Sequence, residues 1–365
     1  MSSTSYPENA QDWRGRFIVN LAAGLGRSKR VQLGLWAPPG DMPPGVESTT
    51  TLQDRAWLRA LAQRGGIAHL LRSDKPLAIS AASGLLLRLY RAYRRSTADI
   101  VHVNWLQNAL PLWGTKTPAI INVLGTDFGL LGVPGMKAVL RSVFRQRRTV
   151  LTPNAQWMAP ELNRIFGDVA RIQTVPFGID AAWFAVSRNP EPDGVHHWLA
   201  ITRLTKNKVG DLFNWGEGLF GPQRILHVFG PMQEVVALPT WVQYHGPTHP
   251  VELLAQWFPK ASGLITLSRH DEGRPQVMLE AMAAGLPIIA SDLPAHRDFI
   301  DHMRTGWLTD SQLDFANALQ QLERPALNTA IGRAACEWAR RDIGTWDECA
   351  ARYCALYTSL LGQEA

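Results

Sequence analysis

The sequence predicts an α/β protein of two domains, each built on a parallel sheet. Three observations carry this. Short apolar strands alternate along the chain with longer amphipathic stretches, the pattern of helices packed on parallel strands. The pattern pauses in the Pro-rich, polar segment Asp180–Gly194 and then begins again. Finally, 365 residues, nearly half of them apolar, suffice for two cores of ordinary size.

The first half opens with a helix, Phe17–Leu25. The strand candidates that follow are Val31–Ala37, Ala68–Leu71, Ile100–Val103, Ile120–Leu124, Val150–Thr152 and Ile172–Val175. The second half supplies Trp198–Thr202, Ile225–Phe229, Val242–Tyr244, Leu264–Leu267 and Ile288–Ala290. A helical tail from about Thr329 to Leu361 lacks a strand partner and is expected to pack across both domains. The expected divisions are 1–180, 181–342 and a helix at 343–365 that returns to the first domain. Gly24-Leu-Gly-Arg-Ser-Lys29 resembles a phosphate loop, but it follows a helix where such a loop follows a strand. It reads as a helix end and turn.

Composition excludes several classes. No apolar run approaches the roughly 20 residues of a spanning helix. The first residues, Met-Ser-Ser-Thr-Ser-Tyr-Pro, lack the basic and apolar regions of a secretory signal. Cys336, Cys349 and Cys354 have no metal-ligand spacing and read as reduced thiols of a cytoplasmic protein. Charge is uneven: residues 1–180 hold 22 Lys and Arg against 11 Asp and Glu, and residues 181–365 hold 15 against 20. A basic front and an acidic back suit two domains that face different partners.

The chemistry concentrates between Ser268 and Pro287. Gly263–Ser268 reads as a buried strand and Val277–Ala284 as a short buried helix, joined by a loop with Glu272, Gly273 and Pro275. The first turn of such a helix offers backbone N–H groups where the strand ends, a seat for phosphate. Pro275 suits a helix start because its missing N–H forfeits no helical bond. Glu272 and Glu280 stand eight positions apart. Carboxylates repel an anion but accept hydrogen bonds from hydroxyls, so the pair fits a ligand with sugar hydroxyls flanking a pyrophosphate. The plainer reading, two acids on a solvated helix, leaves Glu280 unexplained amid Val277, Met278, Leu279, Ala281 and Met282.

These residues, Glu272 to Glu280 continuing into Ala281-Met-Ala-Ala-Gly-Leu-Pro287, resemble the Glu-x7-Glu motif of the retaining glycosyltransferases of family 4. Thr202-Arg-Leu-Thr-Lys-Asn-Lys208 resembles the family's Arg-Leu-x3-Lys-Gly segment. Thr305–Leu308, Asp99–His102, Gly125–Asp127 and Val175–Asp180 stand where the family has similar turns. The resemblance covers most of the chain and is strongest over Trp198–Leu308. It implies the GT-B fold of two facing Rossmann-like domains, with a C-terminal helix packing across them. It also implies hexosyl transfer from a nucleotide-diphosphate-sugar with retention at the anomeric carbon, without a metal or other cofactor. By the same resemblance Arg203 and Lys208 contact the donor diphosphate, Glu272 touches the donor sugar and Glu280 binds ribose hydroxyls. The Gly273, Arg274, Pro275, Gln276 and Val277 backbone holds the phosphates.

Two departures and one pair of candidates bear on turnover. Leu124 stands where many members have a His, which moves any polar catalytic work to Asp127, itself equally a turn-forming Asp, or to another group. His102 and Asn104, at a strand end, are candidates for the acceptor side, although packed turn residues are the commoner case. The family's opening strand and Gly-rich loop are absent from the start. Either the true start lies upstream or the front domain is incomplete, and the cost of unpaired strand edges favours the former.

Two basic stretches mark the front half. Arg88, Arg91 and Arg95 share one helical face within Leu85–Arg95, opposite Leu86, Leu89, Tyr90 and Tyr93. Lys137, Arg141, Arg145 and Arg148 form a second stripe. Such helices suit an anionic membrane as well as an ordinary surface, and nucleic acid has no matching fold here. The functional expectation is a cytoplasmic glycosyltransferase, peripheral at the inner face of the plasma membrane. Its acceptor would be a glycan or lipid-linked molecule of cell-surface polysaccharide biosynthesis. The alternatives are a GT-B protein that binds nucleotide-sugar or a partner without turnover, and a nucleotide-sugar epimerase.

Overall fold

A computed structural model describes all residues except 10, 11, 13, 192, 271, 272 and 363–365. The chain divides into two units, Met1–Phe177 with Trp346–Ala365, and Gly178–Thr345.

In the first unit, helix α1 (Arg16–Ser28) leads to strands β1 (Leu33–Leu35) and β2 (Val46–Ser48), which pair in parallel. Helices α2 (Leu52–Gln63), α3 (Gly66–Ser73) and α4 (Lys75–Arg95) follow. The parallel set β3 (Val101–Asn104), β4 (Ala119–Val123), β5 (Thr149–Pro153) and β6 (Arg171–Ile172) alternates with α5 (Met136–Phe144) and α6 (Ala159–Phe166). Ala68–Leu71, expected as a strand, lies inside α3. A four-residue apolar run does not by itself distinguish strand from helix, and here helical neighbours decide it. The strand β2 escaped the sequence reading because Glu47 interrupts a three-residue edge element.

The opening strand is present. Ser2 forms parallel bridges to both Trp36 and Val103. Its N–H donates to the His102 carbonyl at 2.8 Å, and its carbonyl accepts the Asn104 N–H at 3.1 Å. On the other side the Ser3 N–H reaches the Trp36 carbonyl at 2.9 Å. Residues 1–3 therefore occupy the central position between β1 and β3. With them as first strand, the layer runs 3-2-1-4-5-6-7, the doubly wound order extended by one strand. The expectation of a missing strand is overturned, because a segment as short as Met1-Ser2-Ser3 carries no apolar alternation to read.

Alternation splits this sheet's faces. Val101, Val103, Ala119, Ile121, Val123 and Leu151 enter one core with α4, α5 and α6. Ile120 and Val150 enter the other, with α1 and the C-terminal helix.

In the second unit, strand β7 (His196–Ile201) is followed by the short helices α7 (Lys206–Val209) and α8 (Leu212–Gly216). Next come β8 (Arg224–Phe229), β9 (Val242–Gly246) and a turn, α9 (Pro250–Glu252). Then β10 (Ala261–Thr266) leads into α10 (Gln276–Ala283), β11 (Ile288–Ser291) into α11 (Pro294–Arg297), and β12 (Trp307–Thr309) into α12 (Gln312–Leu322) and α13 (Pro325–Trp338). All six strands are parallel, in the order β12-β11-β10-β7-β8-β9. The order reverses between β7 and β10, the switch point at whose carboxyl edge α/β sheets bind ligands.

The helical tail is two elements. It breaks at Gly344 (φ 71°), and α14 (Trp346–Leu361) belongs to the first unit, packed on α1. α1 runs through both Gly24 and Gly26. A Cβ on Gly24 would lie 2.8 Å from the Trp346 carbonyl oxygen, so this glycine serves helix–helix contact and not a phosphate loop.

Candidate functional site

Two loops leave the carboxyl edge of the second sheet side by side, because β7 and β10 are neighbours with Leu199 opposite Leu264. The first carries Arg203, Thr205 and Lys208. Thr205 caps α7, its side chain accepting the Lys208 N–H at 3.3 Å. Arg203 and Lys208 are both half-buried, and Lys206 and Asn207 between them are exposed. The second loop leads into α10. Glu272 lies outside the described residues.

The two loops are stitched together. The Arg269 N–H donates to the Asn207 carbonyl at 2.8 Å, and the Asp211 N–H to the Leu267 carbonyl at 3.2 Å. The Arg269 guanidinium forms an ion pair with Asp211. Gly210 (φ 55°) lies so close that a Cβ there would stand 1.8 Å from the Leu267 carbonyl oxygen. The β8 loop joins them from the other side. Leu204 bridges Met232, and a Cβ on Gly230 would lie 1.8 Å from the Thr202 carbonyl oxygen.

The helix α10 begins after Pro275 with no side chain capping its N-terminus. Met278, Leu279, Ala281, Met282 and Ala283 are buried, which leaves Gln276, Val277 and Glu280 on one half-buried stripe. Residues three and four apart share a helix face, so Glu280 aligns with the helix start and not with the core. Gly273 and Pro275 are buried. The Gln276 side chain donates to the Gly178 carbonyl at 2.8 Å.

Arg274 differs from a phosphate-facing cation. Its side chain is 6 % exposed, paired with Asp298 at 4 % and lying over the Phe299 ring. The guanidinium anchors the loop from within. Only its backbone remains for a ligand.

His102, Asn104, Asn122 and Thr152 alternate onto the sheet face beneath α14 and form one buried network. His102 Nδ1 meets the Tyr357 hydroxyl at 2.6 Å, Asn122 Nδ2 donates to Asn104 Oδ1 at 2.8 Å, and the Tyr353 hydroxyl donates to Asn122 Oδ1 at 2.8 Å. Burial, and the chain's N-terminal ammonium, lower the His102 pKa to about 3. Both His102 and Asn104 are thus interior packing residues in this structure, where the sequence reading set them toward an acceptor. The hydroxyls of Tyr353 and Tyr357 come from well over 200 residues along the chain, beyond the reach of any local pattern.

Asp127 is 5 % exposed and accepts the N–H groups of Leu106 and Leu124, each at 2.9 Å. Burial pushes its pKa up to about 6, against the pull of those N–H groups. It ties the β3 and β4 loops together and takes the turn-forming role. Leu124 is half-buried beside it.

Over nearly the whole chain, the fold matches several solved structures. Sucrose-phosphate synthase from Thermosynechococcus elongatus aligns with a TM-score of 0.69 at 16 % identity, covering 95 % of this chain and 93 % of that one. A glycosyltransferase from Rickettsia africae aligns at 0.68 and 13 % identity, over 96 % and 95 %. Anabaena HepE in complex with UDP-glucose aligns at 0.65 and 14 % identity, over 98 % of each. The chain has the GT-B fold.

Within this GT-B chain, residues 219–324, which include α10 and Glu280, match the family described as glycosyl transferases group 1. Two curated relatives are D-inositol 3-phosphate glycosyltransferases. The one from Streptomyces avermitilis is 30 % identical over 113 residues, 30 % of this chain and 24 % of its own length. The one from Pseudarthrobacter chlorophenolicus is 35 % identical over 101 residues, 27 % and 23 %. The match thus spans about a quarter of the length of these relatives.

Proposed function

We propose that this protein transfers a hexosyl group from a nucleotide-diphosphate-sugar to a glycan or lipid-linked acceptor, with retention at the anomeric carbon. The observation that carries the reading is the stitched pair of loops at the switch point. It joins the loop that carries Arg203 and Lys208 to the loop that opens α10, the helix of Glu280. In this scheme the donor diphosphate lies on the backbone of Gly273–Val277. Arg203 and Lys208 offset the negative charge that grows on the leaving phosphate as the glycosidic bond breaks. Glu280 accepts hydrogen bonds from ribose hydroxyls, and Glu272 from the sugar. Helix dipole and side-chain cations together do the work that a divalent metal does elsewhere, so activity should survive chelation. The UDP-glucose complex of Anabaena HepE supports a uridine nucleotide as the first donor to test.

The lipid-linked branch of the reading places the protein at the inner face of a membrane, in assembly of cell-surface polysaccharide. Among the described residues no helix is long and apolar enough to cross a membrane, so contact would be peripheral.

A second reading, nucleotide-sugar binding without turnover, draws on the first unit. Leu124 cannot transfer a proton, and the Asp127 carboxylate is committed to two backbone N–H groups. Release of nucleoside diphosphate from each donor, measured with and without a membrane-lipid extract, separates these cases. Acceptor-dependent release that persists in chelator supports transfer. Tight binding with no release supports the second reading, and sugar interconversion without acceptor would point to an epimerase.

A further inference from the structure

Three of the seven basic residues singled out in the first unit are held by acidic neighbours. Arg141 donates to Asp168 and to the Ile165 carbonyl, and Arg145 reaches the same carboxylate at 3.6 Å. Arg88 pairs with Asp54 at 3.3 Å and stacks 4.3 Å above the Trp57 ring. Asp168 thus holds two of the four cations of the second stripe.

The helix α4 is different. From Lys75 to Arg95 it contains no Asp or Glu. Ala78, Leu85, Leu89 and Tyr93 bury one face. The opposite face exposes Ile79 (64 %), Leu87 (47 %) and Tyr90 (38 %), and ends in Arg91 and Arg94. The Arg94 guanidinium lies 4.7 Å from the Tyr90 ring centre. Beside this end sits Trp113, 51 % exposed; a Cβ on the adjacent Gly114 would lie 2.8 Å from Arg94 Nη2. Arg91 and the following Arg95 have no ion-pair partner among the described residues.

We propose that this face of α4, with Trp113, docks on an anionic lipid bilayer. Single exposed apolar residues are ordinary, but here they align on one helix face and end among aromatic rings and arginines. That combination matches the depth profile of a membrane surface: aliphatic side chains below the headgroups, Tyr and Trp among them, cations at the phosphates. A second copy of the chain is the poorer occupant. A twofold contact on this face would set a helix without acidic residues against its own arginines. The inference gives a surface to the membrane-associated branch of the proposed function and is independent of sugar transfer.

The test is co-sedimentation of the full chain with phosphatidylcholine vesicles, neutral or enriched in phosphatidylglycerol, at physiological salt. The parent should bind the anionic vesicles and not the neutral ones. Arg91→Glu/Arg94→Glu and Leu87→Ser/Trp113→Ser should each weaken binding by about tenfold or more, with unchanged melting temperatures because all four residues are exposed. Arg141→Gln/Arg145→Gln should bind within about twofold of the parent, since those charges are already paired. Failure of the parent to bind, or α4 variants that bind like it, would overturn the proposal. So would a dimer in sedimentation velocity that Leu87→Ser/Trp113→Ser dissolves. Nucleotide-induced stabilisation, followed in the same variants, reports separately on the donor site.

Discussion

The Arg269 N–H donates to the Asn207 carbonyl at 2.8 Å, joining the loop that carries Arg203 and Lys208 to the loop that opens α10. The two loops are thereby held together, as the proposed donor site requires. Preorganisation of this kind lets charged groups stabilise a leaving phosphate without reorganising during the reaction.

Gly210 tests this coupling. A Cβ there would overlap the Leu267 carbonyl, so Gly210→Ala must push the loops apart. Donor affinity should fall by roughly tenfold, the loss of one or two well-placed hydrogen bonds. Calorimetric titration checks it, and unchanged affinity would mean the stitching is irrelevant to binding.

Arg274 and Asp298 make a different prediction. Both side chains are nearly enclosed, and removing one partner strands the other's charge. Asp298→Ala should cost roughly 3–5 kcal/mol of folding stability. A substitution at a merely phosphate-facing arginine would instead leave stability near the parent's. Urea unfolding of Asp298→Ala distinguishes the two.

Ser2 should be intolerant of proline. Its N–H donates to the His102 carbonyl inside the sheet, and proline removes that donor from a central strand. Ser2→Pro should lower the melting temperature sharply, while Ser2→Ala, which keeps the ladder and loses the Tyr93 hydroxyl contact, should cost about 1 kcal/mol.

Acid should destabilise the fold. His102 is neutral in the folded chain down to about pH 3, whereas the unfolded chain protonates below about 6.5. The folded state then binds fewer protons, so this contribution is full above pH 6.5 and shrinks as pH falls toward 3. By pH 5 the loss is roughly 2 kcal/mol. His227 has the same sign. It lies between His197 at 2.9 Å and His245 at 3.0 Å, and burial first, then those neighbours and Lys260, lowers it to about 3. Asp127 opposes over a narrower window. Its raised pKa favours the folded chain when protonated, so its contribution declines as pH climbs from about 4 to 6. Unfolding at pH 7.5 and pH 5 should show a smaller difference for His102→Phe than for the parent.

How much was legible in the sequence follows from range. The strands β7, β8, β10 and β11, and the helix that carries Glu280, are written in local apolar pattern. What escaped depends on partners far along the chain. Residues 1–3 become a strand only because Trp36 and Val103 flank them. Arg274 turns inward because Asp298 waits 24 residues on. Arg141 and Arg145 look like a free basic stripe until Asp168 closes on them. His102 and Asn104 sit at a strand end in sequence, but α14 comes back over them from the other end of the chain.

The central claim is that Glu280, Arg203 and Lys208 belong to one donor site. Titrating UDP and UDP-glucose into the parent, Glu280→Ala and Arg203→Ala/Lys208→Ala, with GDP-, ADP- and dTDP-sugars as comparison, tests it directly. One nucleotide class should bind the parent and raise its melting temperature. Both variants should bind it at least tenfold more weakly, about 1.4 kcal/mol or more, at unchanged fold. Equal binding in Glu280→Ala and the parent would remove the carboxylate from the site and contradict the account.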